Sequence, residues 1–361
     1  MANTSHYYGL ILAGGRGTRF WPRSRKKSAK QVLNFFGERT LIQQTVDRLR
    51  TLLPPERIWV ITNDLLRKEI IKQLPDVPPH QILAEPMQRN TAPAIGLVAQ
   101  VLHRIDPRAV MGVFPSDHVI ENPKRYLQFV KPAFAAAEKG AIAVLGMEPR
   151  WAETGYGYIQ FPKGSKAGAF TPIPVVSFHE KPDAKKAVQY VKAKSYFWNA
   201  GMFFWRTETV LQSLAEHLPN TAAILAKLPQ PDQKNFGSQL KKLFPQCEDI
   251  SVDVAIMEKA KNVVGLACDD YGWNDVGSWN AVYELAAKEK GESIVNGSAV
   301  TIDSTGNYVD VRSGKMVALV GVSDLVVVET KDALLIADRK QAQKVSEVVK
   351  VLEKMRRSDL L

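Results

Sequence analysis

The sequence predicts an α/β fold with a mostly parallel sheet, followed by a small β-rich domain. Over the first 150 residues, short apolar runs of strand length alternate with helical patterns, which is typical of a parallel sheet covered by helices on both faces. From Ile294 to Ala337 the pattern changes to short strands with Gly-containing turns, and residues 341–355 read as an amphipathic helix. The 361 residues are enough for two domains, which we place at 1–290 and 291–361.

The predicted elements of the first domain follow one another with short connections. Strands are predicted at 7–12, 58–62, 81–84, 110–114 and 141–145. Helices are predicted at 40–53, 63–74, 91–105 and 123–139. Thr91 is a suitable N-cap for the third of these helices, and Asp183 for a later one. Since ligands of such sheets bind beyond the carboxyl ends of the strands, we expect the polar motifs at those ends to form a site.

Composition describes an ordinary globular chain with a basic balance. Hydrophobic residues make up 45% and charged residues 24%, and the formal net charge is +11. This charge has two open interpretations, a basic surface without a specific role or the attraction of anionic small substrates to a cationic cleft. The basic residues are scattered and not interleaved with aromatic residues, so we expect no nucleic-acid partner.

Cysteine content and hydropathy bear on the cellular setting. Cys247 and Cys268 are too few for a disulfide framework, so we expect a reduced, cytoplasmic environment. The sequence has no run of about 20 apolar residues, and the apolar stretch 7–13 is too short and lacks the basic flank of a signal peptide. We therefore expect no membrane span.

The first strand leads into a glycine-rich, basic loop that carries the strongest chemical signal. Gly14, Gly15 and Gly17 have no Cβ, so a ligand can approach the backbone and its N–H groups. Between Arg16 and Lys30 the chain has seven basic residues and no acidic one, a composition suited to phosphate oxygens. The alternative is an ordinary βα turn with a solvated basic edge.

This loop matches neither of two common phosphate-binding motifs. A P-loop requires Gly-x4-Gly-Lys-Ser/Thr, which the sequence does not contain. A dinucleotide fingerprint requires a third glycine where Phe20 stands, and Pro22 would interrupt a helix that began at Gly17. We therefore expect a long loop, with the next helix starting near Glu38 or Thr40.

Two further motifs follow predicted strands. Glu85 follows the third strand, and Asn90 comes just before the helix at Thr91. Asp117 follows the fourth strand, and a carboxylate beside a phosphate loop is a natural Mg²⁺ ligand. Simple capping remains the alternative for both motifs. For His118 we expect an imidazole that orients Asp117 or serves the structure.

Beyond residue 149 the alternation weakens, and polar motifs suggest an added binding region. Gly157 lies at a predicted strand start where the backbone could approach a ligand, with a bulge as the alternative. Glu180 could accept hydroxyl bonds and Lys181 could reach a phosphate, although Glu-Lys is also a common surface pair. Asp275 lies in a Gly-flanked aromatic turn, where turn chemistry alone would explain an aspartate.

These motifs together resemble those of the sugar-1-phosphate nucleotidyltransferases. The loop at residues 10–25 resembles the family signature, and its Phe-Trp-Pro extension resembles the mannose-1-phosphate guanylyltransferase branch. Similar family motifs occur at 85–95, 114–118, 155–160, 178–182, 198–203 and 271–279. The segment 251–259 also resembles a family segment, and we assign no role to its Asp253 and Glu258. One departure lies within the signature, where Ala29 stands in place of the usual proline before Lys30.

The resemblance implies a fold and a set of site residues. The fold is a Rossmann-like nucleotidyltransferase domain with a small, left-handed β-helix-like C-terminal domain. The implied nucleotide-binding residues are Leu12, Ala13, Gly14, Gly15, Gly17, Thr18, Glu85, Asn90 and Ala94. The implied sugar-phosphate-binding residues are Gly157, Glu180, Lys181 and Asn199. The implied catalytic residues are Arg19, Lys30 and Asp117, and the implied Mg²⁺ ligands are Asp117 and Asp275.

The resemblance also implies a reaction and its partners. GMP would pass from GTP to mannose 1-phosphate, giving GDP-mannose and pyrophosphate. The attacking phosphate is already ionised near neutral pH, so positioning and charge stabilisation matter more than a general base. The alternatives are the same chemistry with another sugar 1-phosphate or nucleoside triphosphate, or a non-catalytic nucleotide-sugar sensor. A homodimer, if formed, would use the C-terminal domain.

Overall fold

In the computed structural model, which describes residues 4–361, the chain forms one large sheet covered by helices and a smaller sheet near the C-terminus. In chain order, the strands are β1 (Tyr7–Leu12), β2 (Ile58–Asn63), β3 (Ile82–Glu85), β4 (Val110–Pro115), β5 (Val119–Ile120), β6 (Ile142–Met147), β7 (Tyr158–Gln160), β8 (Ile173–Pro174), β9 (Ser177–His179), β10 (Tyr196–Arg206), β11 (Val263–Cys268), β12 (Trp273–Asn274), β13 (Ile294–Ile302), β14 (Tyr308–Val320), β15 (Leu325–Glu329) and β16 (Leu334–Asp338). The α-helices are α1 (Leu41–Leu49), α2 (Asp64–Gln73), α3 (Thr91–Ile105), α4 (Pro123–Glu138), α5 (Ala184–Ala193), α6 (Thr207–His217), α7 (Pro219–Ala226), α8 (Phe236–Leu243), α9 (Trp279–Ala286) and α10 (Val345–Lys354).

The large sheet is mixed but mostly parallel, which confirms the predicted α/β class. Its strand order is β3-β2-β1-β4-β10-β6-β11-β8. The first four strands run parallel to one another, and β6 is parallel to β11. The long strand β10 lies between β4 and β6 and is antiparallel to both. The two parallel parts therefore meet on either side of one reversed strand.

Both faces of the large sheet are buried, as the apolar strand sequences predict. Neighbouring side chains of β1 point to opposite faces, so that Leu10 and Ile11 belong to different hydrophobic clusters. On the Ile11 face the sheet packs against α1, α2 and α4, with Phe134 of α4 at 0% exposure. On the Leu10 face it packs against α3, α6 and α7. The two helical layers leave the ends of the strands open.

The caps of the helices correct one prediction and confirm two. The N-cap of α3 is Asn90 and not Thr91, because the side chain of Asn90 accepts a hydrogen bond from the Thr91 N–H at 3.0 Å. The hydroxyl of Thr91 is used elsewhere and accepts from the backbone N–H of Val252. Asp183 caps α5 as predicted. The helix after the glycine-rich loop begins at Leu41, with Thr40 as its N-cap in a capping box.

The C-terminal sheet, β13-β14-β15-β16, packs against the glycine-rich loop and α9. Its first three strands are parallel, and β16 is antiparallel to β15. Trp279 of α9 lies at the centre of the shared hydrophobic cluster and donates from Nε1 to the carbonyl oxygen of Trp21 at 3.1 Å. Arg23 of the loop forms an ion pair with the buried Asp310 of β14. The C-terminal sheet thus supports the outer side of the loop.

Among residues 4–361, we find no helix with the length and apolar character needed to cross a bilayer.

Candidate active site

Three neighbouring cavities open where β1, β3 and β4 end. We name them the Glu85 cavity, of about 390 Å³, the Lys30 cavity, of about 260 Å³, and the Asn199 cavity, of about 350 Å³. Predicted residues that line the Glu85 cavity are Leu12, Ala13, Gly14, Gly15, Glu85, Asn90 and Ala94. Those of the Lys30 cavity are Gly17, Thr18, Arg19, Lys30, Asp117 and Asp275. Those of the Asn199 cavity are Gly157, Glu180, Lys181 and Asn199, together with Asp117 and Asp275 again. The structure therefore brings every predicted site residue to one continuous region.

Asn199 reaches this region from inside a strand and not from a strand end, contrary to the expectation for the polar motifs. It lies near the start of β10, opposite Gly146 of β6. Because β10 is antiparallel to β4 and β6, its first residues lie at the same edge as their last ones. The pairing of β10 with β6 shifts register between Asn199 and Phe203, and such a bulge re-aims side chains.

Glu85 places a buried carboxylate at the wall of its cavity. The residue is 7% exposed, and within residues 4–361 its Oε2 atom has no hydrogen-bond partner. A Cβ atom on Gly14 would lie 2.9 Å from Oε1 of Glu85, so the glycine leaves room for the carboxylate. Burial raises the pKa of Glu85 to about 8. A buried polar atom without a protein partner is costly, and it indicates a site where a ligand supplies the missing donor.

Hydrogen bonds from amide side chains fix the backbone of the glycine-rich loop. Gln31 donates from Nε2 to the carbonyl oxygens of Ala13 and Gly15 at 2.7 and 3.2 Å. The amide of Gln88 donates to the carbonyl oxygen of Gly14. A Cβ atom on Gly15 would have no neighbour within 4 Å, so the backbone there is open to a ligand. These contacts fix a loop that has little regular secondary structure.

Gly17 lines the Lys30 cavity and also has a packing role. Its backbone has φ of 61°, which favours glycine, and a Cβ atom there would lie 2.5 Å from Cβ of Lys30. The absence of a side chain at Gly17 therefore lets Lys30 pack against the loop.

Lys30 lies at the centre of the cavity named after it. The residue is 6% exposed, and its Nζ donates to Oδ2 of Asp117 at 2.8 Å and to the backbone carbonyl oxygen of Asp275. Burial acts to raise the pKa of Asp117, but favourable interactions, led by the charge of Lys30 and its hydrogen bond to Asp117, outweigh burial and hold that pKa below its ordinary value. Asp117 is therefore ionised at neutral pH. Arg19 lies on the other wall of the cavity and donates to the carbonyl oxygen of Gly277 at 2.8 Å.

Aromatic and imidazole groups hold the two acids of this cavity. Trp273 donates from Nε1 to Nδ1 of His118 at 3.1 Å, which leaves the other ring nitrogen of His118 as the side facing Asp117 at 4.0 Å. Burial lowers the pKa of His118, so the ring is neutral near pH 7. The hydroxyl of Tyr156 donates to Oδ1 of Asp275 at 2.6 Å. The positions of both carboxylates are thus set by neighbouring side chains.

The Asn199 cavity is narrow at Gly157. A Cβ atom on Gly157 would lie 2.6 Å from Oε2 of Glu180 and 3.3 Å from Cβ of Asn199. Lys181 is exposed and forms an ion pair with Oε1 of Glu180 at 2.5 Å. Carboxylate, amide and ammonium groups here face a common space, and together they can bind several hydroxyls and an anion.

Two acids to which the sequence assigns no role, Asp253 and Glu258, contact residues of this cavity. Asp253 lines it and accepts a hydrogen bond from Nδ2 of Asn199 at 2.9 Å. Glu258 accepts one from the backbone N–H of Glu180 at 3.1 Å. Burial, reinforced by the nearby charge of Glu180, raises the pKa of Asp253 to about 6. The family-like segment at 251–259 was the available signal, but the partners of these acids lie more than 50 residues away in sequence.

The acids at the junction of the Lys30 and Asn199 cavities fit a divalent cation that substrate helps to bind. Within residues 4–361, no group of three or more His, Cys, Asp or Glu side chains is arranged to hold a metal ion. Mg²⁺, however, needs only one or two protein carboxylates when phosphate oxygens and waters complete its shell. Asp117 and Asp275 provide two carboxylates that line both cavities. A metal site closed by protein ligands alone would not fit here.

Comparison with known proteins identifies the family. Residues 8–292 match the model of the nucleotidyl transferase family, and residues 297–352 match that of the MannoseP isomerase/GMP-like beta-helix domain. A relative from Klebsiella pneumoniae named mannose-1-phosphate guanylyltransferase is 38% identical over 356 residues, which are 97% of this chain and 74% of the relative. The chain belongs to the mannose-1-phosphate guanylyltransferase family. Nucleotidyltransferases of this family generally use a divalent metal.

Two further proteins are similar to this chain in sequence, and one of them also in fold. The alginate biosynthesis protein AlgA of Pseudomonas aeruginosa is 36% identical over 97% of this chain and 73% of its own length. A crystal structure from Thermus thermophilus, described as a mannose-1-phosphate geranyltransferase, superposes with a TM-score of 0.84 at 32% identity. It covers 96% of this chain and 99% of its own. The predicted family, the α/β domain and the β-helix-like C-terminal part are confirmed.

Proposed function

We propose that the protein transfers GMP from GTP to mannose 1-phosphate, with release of pyrophosphate and formation of GDP-mannose. The observation that carries this proposal is the position of the ionised Asp117, which is held by Lys30 and lines both the Lys30 cavity and the Asn199 cavity. The Glu85 cavity has a buried carboxylate oxygen that lacks a hydrogen-bond donor, and the Asn199 cavity has groups suited to binding hydroxyls. The relatives named mannose-1-phosphate guanylyltransferase, at 36–38% identity, support the same reaction.

The Glu85 cavity would bind the guanine base. Guanine presents its N1–H and N2–H₂ donors side by side, and one carboxylate can accept both. Glu85 has an unpaired buried oxygen at this cavity, and adenine or uracil offers no matching pair of donors. Asn90 and Ala94 at the start of α3 would contact the base or ribose, and the open backbone at Gly15 would approach the phosphates.

The Asn199 cavity would bind the sugar 1-phosphate. Glu180 would accept hydrogen bonds from the sugar hydroxyls, and Asn199 would both donate to them and accept from them. Gly157 leaves room for the sugar ring beside these two residues. Lys181 would leave its ion pair with Glu180 to reach the phosphate, since its side chain is exposed. Binding here would place the phosphate next to Asp117 and Asp275, which line the same cavity.

The chemistry at the junction requires charge stabilisation more than proton transfer. A phosphate oxygen of mannose 1-phosphate attacks the α-phosphorus of GTP, the bond from that phosphorus to the bridging oxygen breaks, and pyrophosphate leaves. The attacking phosphate has a second pKa of about 6 and is already ionised at neutral pH. Lys30 and Arg19 would neutralise the charge on oxygens of the transferring and leaving phosphates. Lys30 is buried and Arg19 is held by its hydrogen bond to Gly277, and both conditions strengthen this effect.

A divalent cation, which we propose to be Mg²⁺, would be held by Asp117 and Asp275. When bound, it would supply charge neutralisation and orientation at the phosphate oxygens. Tyr156 and Lys30 position the residues that would hold it, through Oδ1 of Asp275 and Oδ2 of Asp117. The charge of Lys30 also keeps Asp117 ionised and available.

The test is pyrophosphate release from a matrix of nucleotides and sugar 1-phosphates. GTP, ATP, UTP and dTTP would each be combined with mannose 1-phosphate and with glucose 1-phosphate, with Mg²⁺ and with a chelator. We expect release that needs the divalent cation and is fastest with GTP and mannose 1-phosphate. Faster release with another pair would retain the chemistry but overturn the specificity. Binding of GDP-mannose without release from any pair would favour a nucleotide-sugar sensor and overturn the proposal.

A further inference from the structure

A single π-helical turn carries two acids to the polar residues of the Asn199 cavity. The turn comprises Asp253–Met257, and the N–H of Glu258 donates to the carbonyl oxygen of Asp253 at 3.0 Å. This bond joins residues five apart, so Glu258 follows Asp253 by one π-helical turn, and both side chains accept hydrogen bonds from residues of the Asn199 cavity. Turns of this kind are rare and occur frequently at functional sites.

Asp253 fixes the orientation of the Asn199 amide. Nδ2 of Asn199 donates to Oδ1 of Asp253 at 2.9 Å, and Oδ1 of Asn199 accepts from the N–H of Gly201 at 2.9 Å. An amide that lacks such partners can turn over and exchange its donor and acceptor. With both partners in place, Asn199 presents one N–H and one lone pair to the cavity in a fixed arrangement.

Glu258 acts on the second polar residue of the cavity. Its Oε1 accepts from the backbone N–H of Glu180 at 3.1 Å, at the point where the chain leaves β9. Glu180 in turn borders Gly157, where a Cβ atom would lie 2.6 Å from Oε2. The π-helical turn therefore holds both Asn199 and Glu180, although it lies more than 50 residues further along the chain.

The same segment is attached to the Glu85 cavity. The N–H of Val252 donates to Oγ1 of Thr91 at 2.8 Å, and the N–H of Ala92 donates to the carbonyl oxygen of Ile250 at 3.2 Å. Thr91 lines the Glu85 cavity together with Asp249. The turn is thus anchored to the first residues of α3, so its position relative to both cavities is fixed.

Building on the function proposed above, we propose that Asp253 is a positioning residue that acts through Asn199 to set the affinity for the sugar 1-phosphate and the preference for one hexose epimer. Epimers differ in the direction of a single hydroxyl, and a site discriminates between them only when its donors and acceptors hold fixed positions. The hydrogen bond from Asn199 to Asp253 removes the alternative orientation of the amide. A purely structural role for Asp253 would affect folding but not sugar selectivity.

The test compares Asp253→Ala with Asp253→Asn in the full chain. The alanine variant removes the acceptor, so we expect the KM for mannose 1-phosphate to rise about tenfold and the preference over glucose 1-phosphate to fall. The KM for GTP should stay within about twofold of wild type, since Asp253 does not line the Glu85 cavity. Asparagine retains an acceptor oxygen and should restore most of the affinity. Val254→Ala is the matched control, since this exposed side chain belongs to the same turn and should leave both KM values unchanged.

The proposal is overturned if Asp253→Ala keeps the wild-type KM and preference for the sugar 1-phosphate, or if it raises both KM values alike. Failure of the proposed function gives a different result. The wild-type protein would then turn over another pair of nucleotide and sugar 1-phosphate, or it would turn over no pair. With another pair, the same comparison is made with that pair. With none, calorimetric binding of GDP-mannose to wild type and variants makes the comparison, and wild type that does not bind would overturn both proposals.

Discussion

The ammonium group of Lys30 lies 2.8 Å from Oδ2 of Asp117, across 87 residues of sequence. The same ammonium donates to the backbone carbonyl oxygen of Asp275, so one buried cation joins the glycine-rich loop, the end of β4 and the turn after β12. Gly17 makes this possible, because any larger residue would collide with Cβ of Lys30. We therefore expect Lys30 to organise the reacting centre as well as to contact phosphate.

Replacing Lys30 with Ala should lower kcat/KM strongly. The change removes a buried positive charge beside the transferring phosphate, and loss of one such preorganised group costs about 10²–10³-fold in rate. It also removes the charge that keeps the pKa of Asp117 low. Steady-state kinetics with GTP and mannose 1-phosphate would measure the loss. Lys27→Ala is the matched control, since Lys27 lies in the same loop but is exposed. A change confined to KM would make Lys30 a binding residue only.

Replacing Asp117 with Asn should remove most turnover while substrate binding survives in part. Asparagine has the same shape but no charge, so it weakens the hold on a divalent cation and on Lys30 without opening a cavity. We expect kcat to fall by about 10²-fold or more, and the KM for GTP to change by less than about threefold. Kinetics over a range of Mg²⁺ concentrations would show both effects. A near-normal kcat would remove Asp117 from the reacting centre.

The binding of GTP should depend on pH through Glu85. Burial raises its pKa to about 8, so most of the free protein has a protonated Glu85 at neutral pH. A carboxylate that accepts two guanine donors must be ionised, so binding releases a proton. The apparent affinity should therefore rise by up to about tenfold per unit between pH 6 and pH 8, and then level off. Calorimetric titrations across this range would measure it.

Glu85→Gln separates this effect from the titration of GTP itself. The phosphates of GTP titrate in the same way with both proteins, so the difference between the two profiles reports Glu85 alone. Parallel profiles would contradict the contact of Glu85 with guanine.

The free protein offers a second check, because the pKa of Glu85 in the folded state lies above its ordinary value of 4.5. The unfolded state then binds fewer protons, and the free energy of unfolding should fall as the pH rises from 4.5 to about 8.

Replacing Asp310 with Ala should destabilise the protein. Asp310 is 1% exposed and pairs with Arg23 at 2.9 Å and with Arg312 at 2.6 Å. Its loss leaves Arg23 mostly buried without its charged partner, which typically costs about 3–5 kcal/mol in the free energy of unfolding. Chemical denaturation would measure the change. Glu347→Ala, at an exposed site of α10, should alter stability by less than about 0.5 kcal/mol. Equal effects of the two variants would contradict the support we assign to this contact.

Features encoded by local sequence were predicted well. The bounds of β1 and α3 match the structure because each is set by a short apolar pattern with clear ends. The reversed strand β10 was not predicted, since its pairing with β4 and β6 depends on residues far away in sequence. The N-cap of α3 was misplaced for the same reason, because the hydroxyl of Thr91 is used by Val252. The boundary at 290/291 stays a prediction.

Site residues at strand ends could likewise be predicted from local sequence, whereas those placed by distant contacts could not. The glycine-rich loop and Asp117 each follow a strand and Glu85 ends one, so a sheet places them at one edge without further information. The sequence assigns no role to Asp253 because its partner, Asn199, lies 54 residues away and is reached through a π-helical turn that no local pattern indicates. The roles of the site residues remain proposals that the variants above can test.

Transfer of GMP to mannose 1-phosphate is tested most directly by a phosphorus NMR time course of the wild-type protein with equimolar GTP and mannose 1-phosphate and excess Mg²⁺. We expect GDP-mannose and pyrophosphate to appear together in equal amounts while both substrates disappear. After chelation of the divalent cation, the signals of both substrates should stay unchanged. Formation of GDP or GMP with free phosphate, or unchanged substrates in the presence of Mg²⁺, would contradict it.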